Sequence, residues 1–273
     1  MMFIDEQLLI FKNKIEEAIK SGGTSGKESI IRSSDLINLI HDAVKFEFIS
    51  FGINPNNIFP HFKKSKPEIK LAGFLKQKKQ DICIIPSGIE KKKTPITWGP
   101  LAFQNKEDKY GYDFSTNTLV INVRSQMSSL SKNADTLFER TYAEAHNLHM
   151  RYPEIVLGEV YLIPVNEYDN ELVKQNKVGF KKNQTDLERY ISFFNSINNR
   201  KLRDDSYKYE RCALLIVDFN KTKPKLFKNS EELKYTKLIS DSFNIEYAEL
   251  GFESFAKDIL EVYAERYNIN NIM

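Results

Sequence analysis

The chain has 273 residues, 41% hydrophobic and 28% charged, enough apolar content for one large core and too little bias for a disordered chain or a coiled coil. Forty Lys and Arg against 37 Asp and Glu leave a net charge of +3, which by itself does not mark a nucleic-acid binder. Two distant cysteines, Cys83 and Cys212, exclude a disulfide framework, a C-x-x-C redox pair and a four-thiolate zinc site, and fit a reducing compartment.

Ile4, Leu8, Phe11, Ile15 and Ile19 fall on one helical stripe, with Asp5 and Glu6 where a signal peptide would be basic. The expectation is an amphipathic helix over 3–20 of a soluble, cytoplasmic protein. No membrane partner is expected, since purely apolar runs such as 213–217 are about a quarter of the roughly 20 residues a membrane helix needs. Residues 21–26, Ser-Gly-Gly-Thr-Ser-Gly, read as a flexible joint, and Ser25-x-x-Glu28 as a capping box opening a helix that runs to about 40–44. Gly26-Lys27 is no phosphate loop: position 28 is Glu, position 21 is not Gly, and a helix precedes it.

Pro55, Pro60 and Pro67 make 52–70 irregular. A strand pair over 71–75 and 80–86 follows, then an irregular stretch, 87–116, with the single tryptophan, Trp98. Strands are expected at 119–126, 155–165 and 212–219. Helices are expected at 133–150, from a Thr185-x-x-Glu188 cap to 197, and over 252–267. This order predicts an α/β fold with a mixed central sheet flanked by helices. It is expected as one domain over 1–273, its core at about 25–220, with helix 3–20 before it and a helical extension over 230–273 after it.

Asp81 opens an otherwise apolar strand in which Asp81, Cys83 and Ile85 alternate against Ile82 and Ile84. A buried acid there needs a partner, a metal ion being one, while a strand-end aspartate capping a turn is the ordinary alternative. Asn122, Arg124 and Gln126 recur at period two against Ile121 and Val123. They form either a buried polar row that needs partners or a ligand, or the wet face of an antiparallel strand. On the next helix Glu144 shares a stripe with Leu137, Thr141, Ala145 and Leu148, while Glu139 and Arg140 diverge from it. Asp81, Arg124 and Glu144 converging would make a charged cluster of the kind found at functional sites, and a purely structural Arg124–Glu144 pair is the other reading.

Between 60 and 93, ten lysines outnumber Glu68, Asp81 and Glu90, a net +7 in 34 residues. This basic charge brackets Asp81 and suits a phosphate backbone. The runs Lys181-Lys182, Arg200-Lys201-Arg203 and 221–228 are dispersed. His146 and His149 have a zinc-compatible spacing but no third ligand nearby in sequence, and neither G-x-S-x-G nor G-x-G-x-x-G occurs.

QDICIIP at 80–86, about forty residues, INVRSQ at 121–126 and a helix rising from that strand resemble the core of PD-(D/E)xK restriction endonucleases. Residues 121–149 are also similar to that stretch of type II enzymes cutting short, interrupted DNA sites, some built from two different subunits. The resemblance covers roughly residues 70–165. It implies a restriction-endonuclease-like core and a type II restriction endonuclease of a restriction-modification system. Mg²⁺ would be the cofactor, double-stranded DNA the partner, and a homodimer or a second nuclease subunit the assembly, because cutting both strands takes two active sites.

Asp81 matches the family's first metal-binding aspartate. Where the family has Glu-x-Lys, this chain has Asn122-Val123-Arg124; Asn offers only a neutral oxygen and Arg cannot act as a general base. Some relatives carry the second carboxylate on the following helix, which implies Glu144 as the metal ligand beside Asp81, with Glu139 or Glu28 as substitutes. Asn122, Arg124 and Gln126 would orient water and phosphate. The departure also allows a DNA-binding partner subunit without its own active site, or a non-enzymatic interaction protein whose polar strand is merely wet. Most base readout is expected from 166–273.

Overall fold

A computed structural model describes residues 3–202 and 205–273; Arg203 of the basic run lies outside them. Six strands lie side by side in chain order: β1 (Ile58–Phe59), β2 (Ile82–Ile84), β3 (Leu119–Ser125), β4 (Val156–Pro164), β5 (Arg211–Asp218) and β6 (Lys225–Leu226). β1, β2 and β3 pair antiparallel, β3, β4 and β5 pair parallel, and β6 returns antiparallel. The long helices are α1 (Phe3–Arg32), α2 (Ser34–Ser50), α3 (Leu130–His149), α4 (Leu187–Ile197) and α5 (Phe252–Arg266). One sheet face packs against α1, α2 and α5 through residues such as Phe11, Ile40 and Ile259. The other packs against α3 and α4 through Leu148, Ile191 and Phe194. The protein is therefore α/β, with a mixed central sheet flanked by helices. Every residue of β4 is buried, as expected of a parallel strand covered on both faces.

Local chemistry places several boundaries differently from the pattern reading. The joint expected at 21–26 is a kink inside α1, where Gly23 takes φ 54°, a conformation that costs glycine little. The helix then continues because Ile30 and Ile31 pack on the same core. The break falls at Ser33, whose Oγ accepts from the Asp35 amide, so Ser25 and Glu28 form no capping box. Glu28 instead pairs with Arg32 at 3.1 Å.

The strand pair expected from 71–75 and 80–86 does not form. Lys70–Ala72 pairs with the lysine-rich Gln77–Lys79 as a separate hairpin. Ile82–Ile84, buried throughout, is held between β1 and β3. The stretch read as irregular over 87–116 contains a small ladder, Thr94–Pro95 with Glu107–Asp108, and a helix, Tyr112–Thr116. α4 is capped by Asp186, which accepts from the Arg189 amide. Thr185 instead donates its hydroxyl to the Pro164 carbonyl, and Glu188 accepts from the Ser240 amide. α3 starts at Leu130 because the Glu167 carboxylate accepts both the Ser129 and Leu130 amides. Among the described residues, no helix is long and apolar enough to cross a membrane.

Candidate functional site

Strand register assembles a polar row on the α3 face of the sheet. Asn122 of β3 lies opposite Glu159 of β4, and Asp81, one residue beyond the Ile82–Ile121 pair, lies alongside Asn122. Side chains of registered neighbours project to the same face. The sequence therefore brings an acid, an amide and an acid together across three adjacent strands.

Asp81 Oδ2 accepts the Val123 amide at 3.0 Å, so the carboxylate caps a β3 donor that β2 ends too early to pair. Burial raises the Asp81 pKa, outweighing the opposing effects of Lys78, the Val123 amide and Arg124. Arg124 reaches three ways. Its Nη1 donates to Thr141 Oγ1 at 3.1 Å, its Nη2 donates to Glu144 Oε2, and its Nε lies 3.3 Å from Glu159 Oε1. Lys78, from the lysine-rich hairpin, donates to the same Glu144 oxygen at 2.6 Å. Burial pushes the Glu144 pKa up, but Arg124 and Lys78 outweigh it and hold the group below its ordinary value.

Glu159 is 0% exposed, and neither of its oxygens accepts a hydrogen bond. Burial lifts its pKa to about 7 despite Arg124. Asn122 is also buried; its Nδ2 reaches the Tyr209 hydroxyl at 3.5 Å while its Oδ1 accepts nothing. Tyr209 in turn donates to the Thr141 carbonyl at 2.9 Å, tying the segment just before β5 to α3. Three carboxylates, Asp81, Glu144 and Glu159, thus face two cations, Lys78 and Arg124.

Gln126 continues the row of Asn122 and Arg124 but is fully used elsewhere. Its Oε1 accepts from the Tyr161 and Tyr190 hydroxyls, and its Nε2 donates to the Ser129 and Leu130 carbonyls. These bonds fix the turn between β3 and α3. Glu139 is exposed on α3, and Glu28 is exposed on α1 beside Arg32.

The pattern reading singles out neither Glu159 nor Tyr209, and it gives Lys78 only as a member of the basic segment and Thr141 only as a member of the Glu144 stripe. For Glu159 a signal was present: one acid inside the apolar run Val156–Pro164. The preceding Gly158 serves packing, since a Cβ there would meet Phe255 at 2.7 Å and Ile259 at 2.8 Å on the opposite face.

A second buried cluster occupies the amino ends of β4 and β5. Glu210 accepts from Arg200 and Arg266 at 2.8 and 2.9 Å, from the Leu157 amide at 2.8 Å, and lies 3.3 Å from His149 Nε2. Burial pushes the Glu210 pKa up, but His149 and the two arginines outweigh it and hold it at about 2. His146 meets the Ser206 hydroxyl instead of sharing a ligand with His149. Every backbone and side-chain partner of Glu210 is satisfied, which marks this cluster as structural.

Among the described residues, no three His, Cys, Asp or Glu side chains are arranged to hold a metal ion. An ion at the polar row would therefore take two carboxylates, the Asn122 oxygen and water. That is an all-oxygen set, of the composition magnesium accepts, since it keeps several of its waters. The lysine hairpin carries exposed Lys70, Lys76 and Lys79 at the surface and sends Lys78 inward to Glu144. Comparison with known proteins finds no matching family model, no matching curated protein and no matching solved structure.

Proposed function

We propose that this chain is a Mg²⁺-dependent, sequence-specific DNA endonuclease with a restriction-endonuclease-like core, acting on double-stranded DNA as a type II restriction enzyme. The observation that supports it most is Asp81 at the head of β2, beside the polar row of β3, where β2 and β3 are antiparallel and α3 leads into the parallel β4. Asp81 would hold the ion together with a second carboxylate, for which the resemblance points to Glu144. Bound magnesium would lower the pKa of a water and offset charge gathering on the phosphate. Arg124 stays protonated at any working pH and presents a fixed cation to a phosphate. Exposed lysines of the 60–93 segment supply the sequence-independent attraction to the DNA backbone. Cutting both strands calls for a second site, from another copy or a second subunit.

The test is incubation of purified protein with unmethylated plasmid, with and without Mg²⁺, followed by sequencing of the ends. The expected result is discrete fragments only with Mg²⁺, abolished by Asp81→Ala while DNA binding remains. Cleavage by Asp81→Ala at the wild-type rate overturns the assignment. A second reading is a DNA-binding partner subunit without its own chemistry. It is favoured by Asn122 and Arg124 standing in place of Glu-x-Lys and by the ion pairs that occupy Glu144. Salt-sensitive DNA binding with no cleavage at any Mg²⁺ concentration is its expected result.

A further inference from the structure

We infer that Glu159, rather than Glu144, is the carboxylate that joins Asp81 and Asn122 in holding a divalent cation. The inference rests on the nuclease reading for what the ion does, and on the geometry alone for its place.

Glu144 is already neutralised in part. Its Oε2 receives both the Lys78 ammonium and the Arg124 guanidinium, which leaves only Oε1 for a metal. Glu159 is the opposite case. It is fully buried, and both of its oxygens lack a hydrogen-bond donor. Across the β3–β4 register its direct neighbour is Asn122, whose Oδ1 is also buried and without a donor. Three vacant acceptor oxygens on two registered residues are unusual in a protein interior, where nearly all such atoms are partnered.

Arg124 does not resolve the vacancy. It approaches Glu159 through Nε at 3.3 Å without a hydrogen bond and spends its Nη1 and Nη2 on Thr141 and Glu144. A pair built only for structure would present the guanidinium fork to both carboxylate oxygens. Counting Asp81, three acids face two bases, so the third acid is balanced by either a proton or a bound cation. Asp81 supplies the accessible edge, being partly exposed where Glu159 is not. Oxygen-only donors with an amide among them select a small hard ion, Mg²⁺ or Mn²⁺, over zinc or copper.

The experiment titrates MnCl₂ into the full-length protein without DNA, read by calorimetry and by thermal unfolding, for wild type, Glu159→Gln, Glu144→Gln and Asn122→Asp. The expected result is saturable binding to wild type, weakened by Glu159→Gln about tenfold more than by Glu144→Gln. Asn122→Asp, which sets a second anion beside Glu159, is expected to tighten binding, and this arm stands even if Glu159→Gln does not fold. No saturable binding to wild type, or equal affinity in wild type and Glu159→Gln, overturns the inference. Mn²⁺ binding without DNA cleavage supports this site and removes the nuclease reading. Cleavage together with unchanged Mn²⁺ affinity in Glu159→Gln removes this site and leaves the nuclease reading standing.

Discussion

Arg124 serves Glu144 and Glu159 at once, donating Nη2 to the first and holding Nε 3.3 Å from the second. Helix α3 and strand β4 are thereby joined through one side chain of β3. The same guanidinium offsets part of the negative charge that the polar row concentrates beneath the helix.

Removing that cation leaves buried Glu159 without its ion-pair partner and Glu144 with Lys78 alone. Arg124→Ala is expected to cost about 3–5 kcal/mol of folding stability, because breaking one side of a buried ion pair strands the other. Glu159→Gln loses no hydrogen bond and only the Nε approach of Arg124 at 3.3 Å, and is expected to cost less than Arg124→Ala, about 1–2 kcal/mol. Urea unfolding of the two variants against wild type measures both, and equal losses would contradict the assignment of Arg124 as the shared partner.

Asp81→Asn separates the strand-capping role of Asp81 from its proposed chemistry. The amide oxygen still accepts the Val123 N–H, so stability should stay within about 1 kcal/mol of wild type. Mg²⁺-dependent DNA cleavage should disappear. Retained cleavage would leave Asp81 as a cap only.

His41 sets a pH dependence in the mildly acidic range. Burial first, and then Lys45, lower its folded-state pKa from 6.5 to about 4. The unfolded chain takes up a proton below about 6.5 while the folded protein does not, so the unfolded state binds more protons in that window. The His41 contribution is therefore complete above about pH 6.5 and is lost as pH drops towards 4, while Glu159, with a folded-state pKa of about 7, contributes in the opposite sense over much of that range. The advantage of wild type over His41→Leu, read by denaturant midpoints at pH 7.5, 6 and 5, is expected to shrink as pH falls.

Glu210 acts at lower pH. Its folded-state value, about 2, lies below that of an unfolded glutamate, so its contribution is complete above the unfolded value and is lost as pH falls through the folded one. Glu210→Ala strands Arg200, Arg266 and the Leu157 amide and is expected to cost about 3–5 kcal/mol at neutral pH. The wild-type advantage over this variant should shrink as pH is lowered from about 4.5 towards 2, as read by urea midpoints.

Surface lysines should appear in the salt dependence of DNA binding. Replacing exposed Lys70, Lys76 and Lys92 by alanine is expected to reduce the slope of log affinity against log salt by roughly 2–3, at about 0.9 per phosphate contact. An unchanged slope would place the DNA elsewhere on the surface.

Much of the framework was legible along the chain because it depends on local periodicity. The stripe from Ile4 to Ile19, the apolar runs of β4 and β5 and the alternation about Asn122 and Arg124 each declare their element within a short window. Helix caps were less legible. Ser25, Ser33, Thr185 and Asp186 are all plausible caps by type, and only packing and the available amides select Ser33 and Asp186. The site was legible in part. Asp81, Arg124 and Glu144 stand out as charges among apolar neighbours, whereas Lys78 looks like any other residue of a lysine-rich turn.

The sequence by itself determined the succession of helices and strands, and the polar positions that interrupt them, because hydrophobic period is a property of near neighbours. Tertiary structure alone decided which of those positions meet. Pairing Ile82 with Ile121 and Asn122 with Glu159 aligns residues up to 39 positions apart, and a one-residue slip would turn each side chain to the other face. Burial against both helical layers fixes that register. It sets Glu159 beside Asn122 with neither carboxylate oxygen accepting a hydrogen bond, and draws Lys78 and Arg124 onto Glu144.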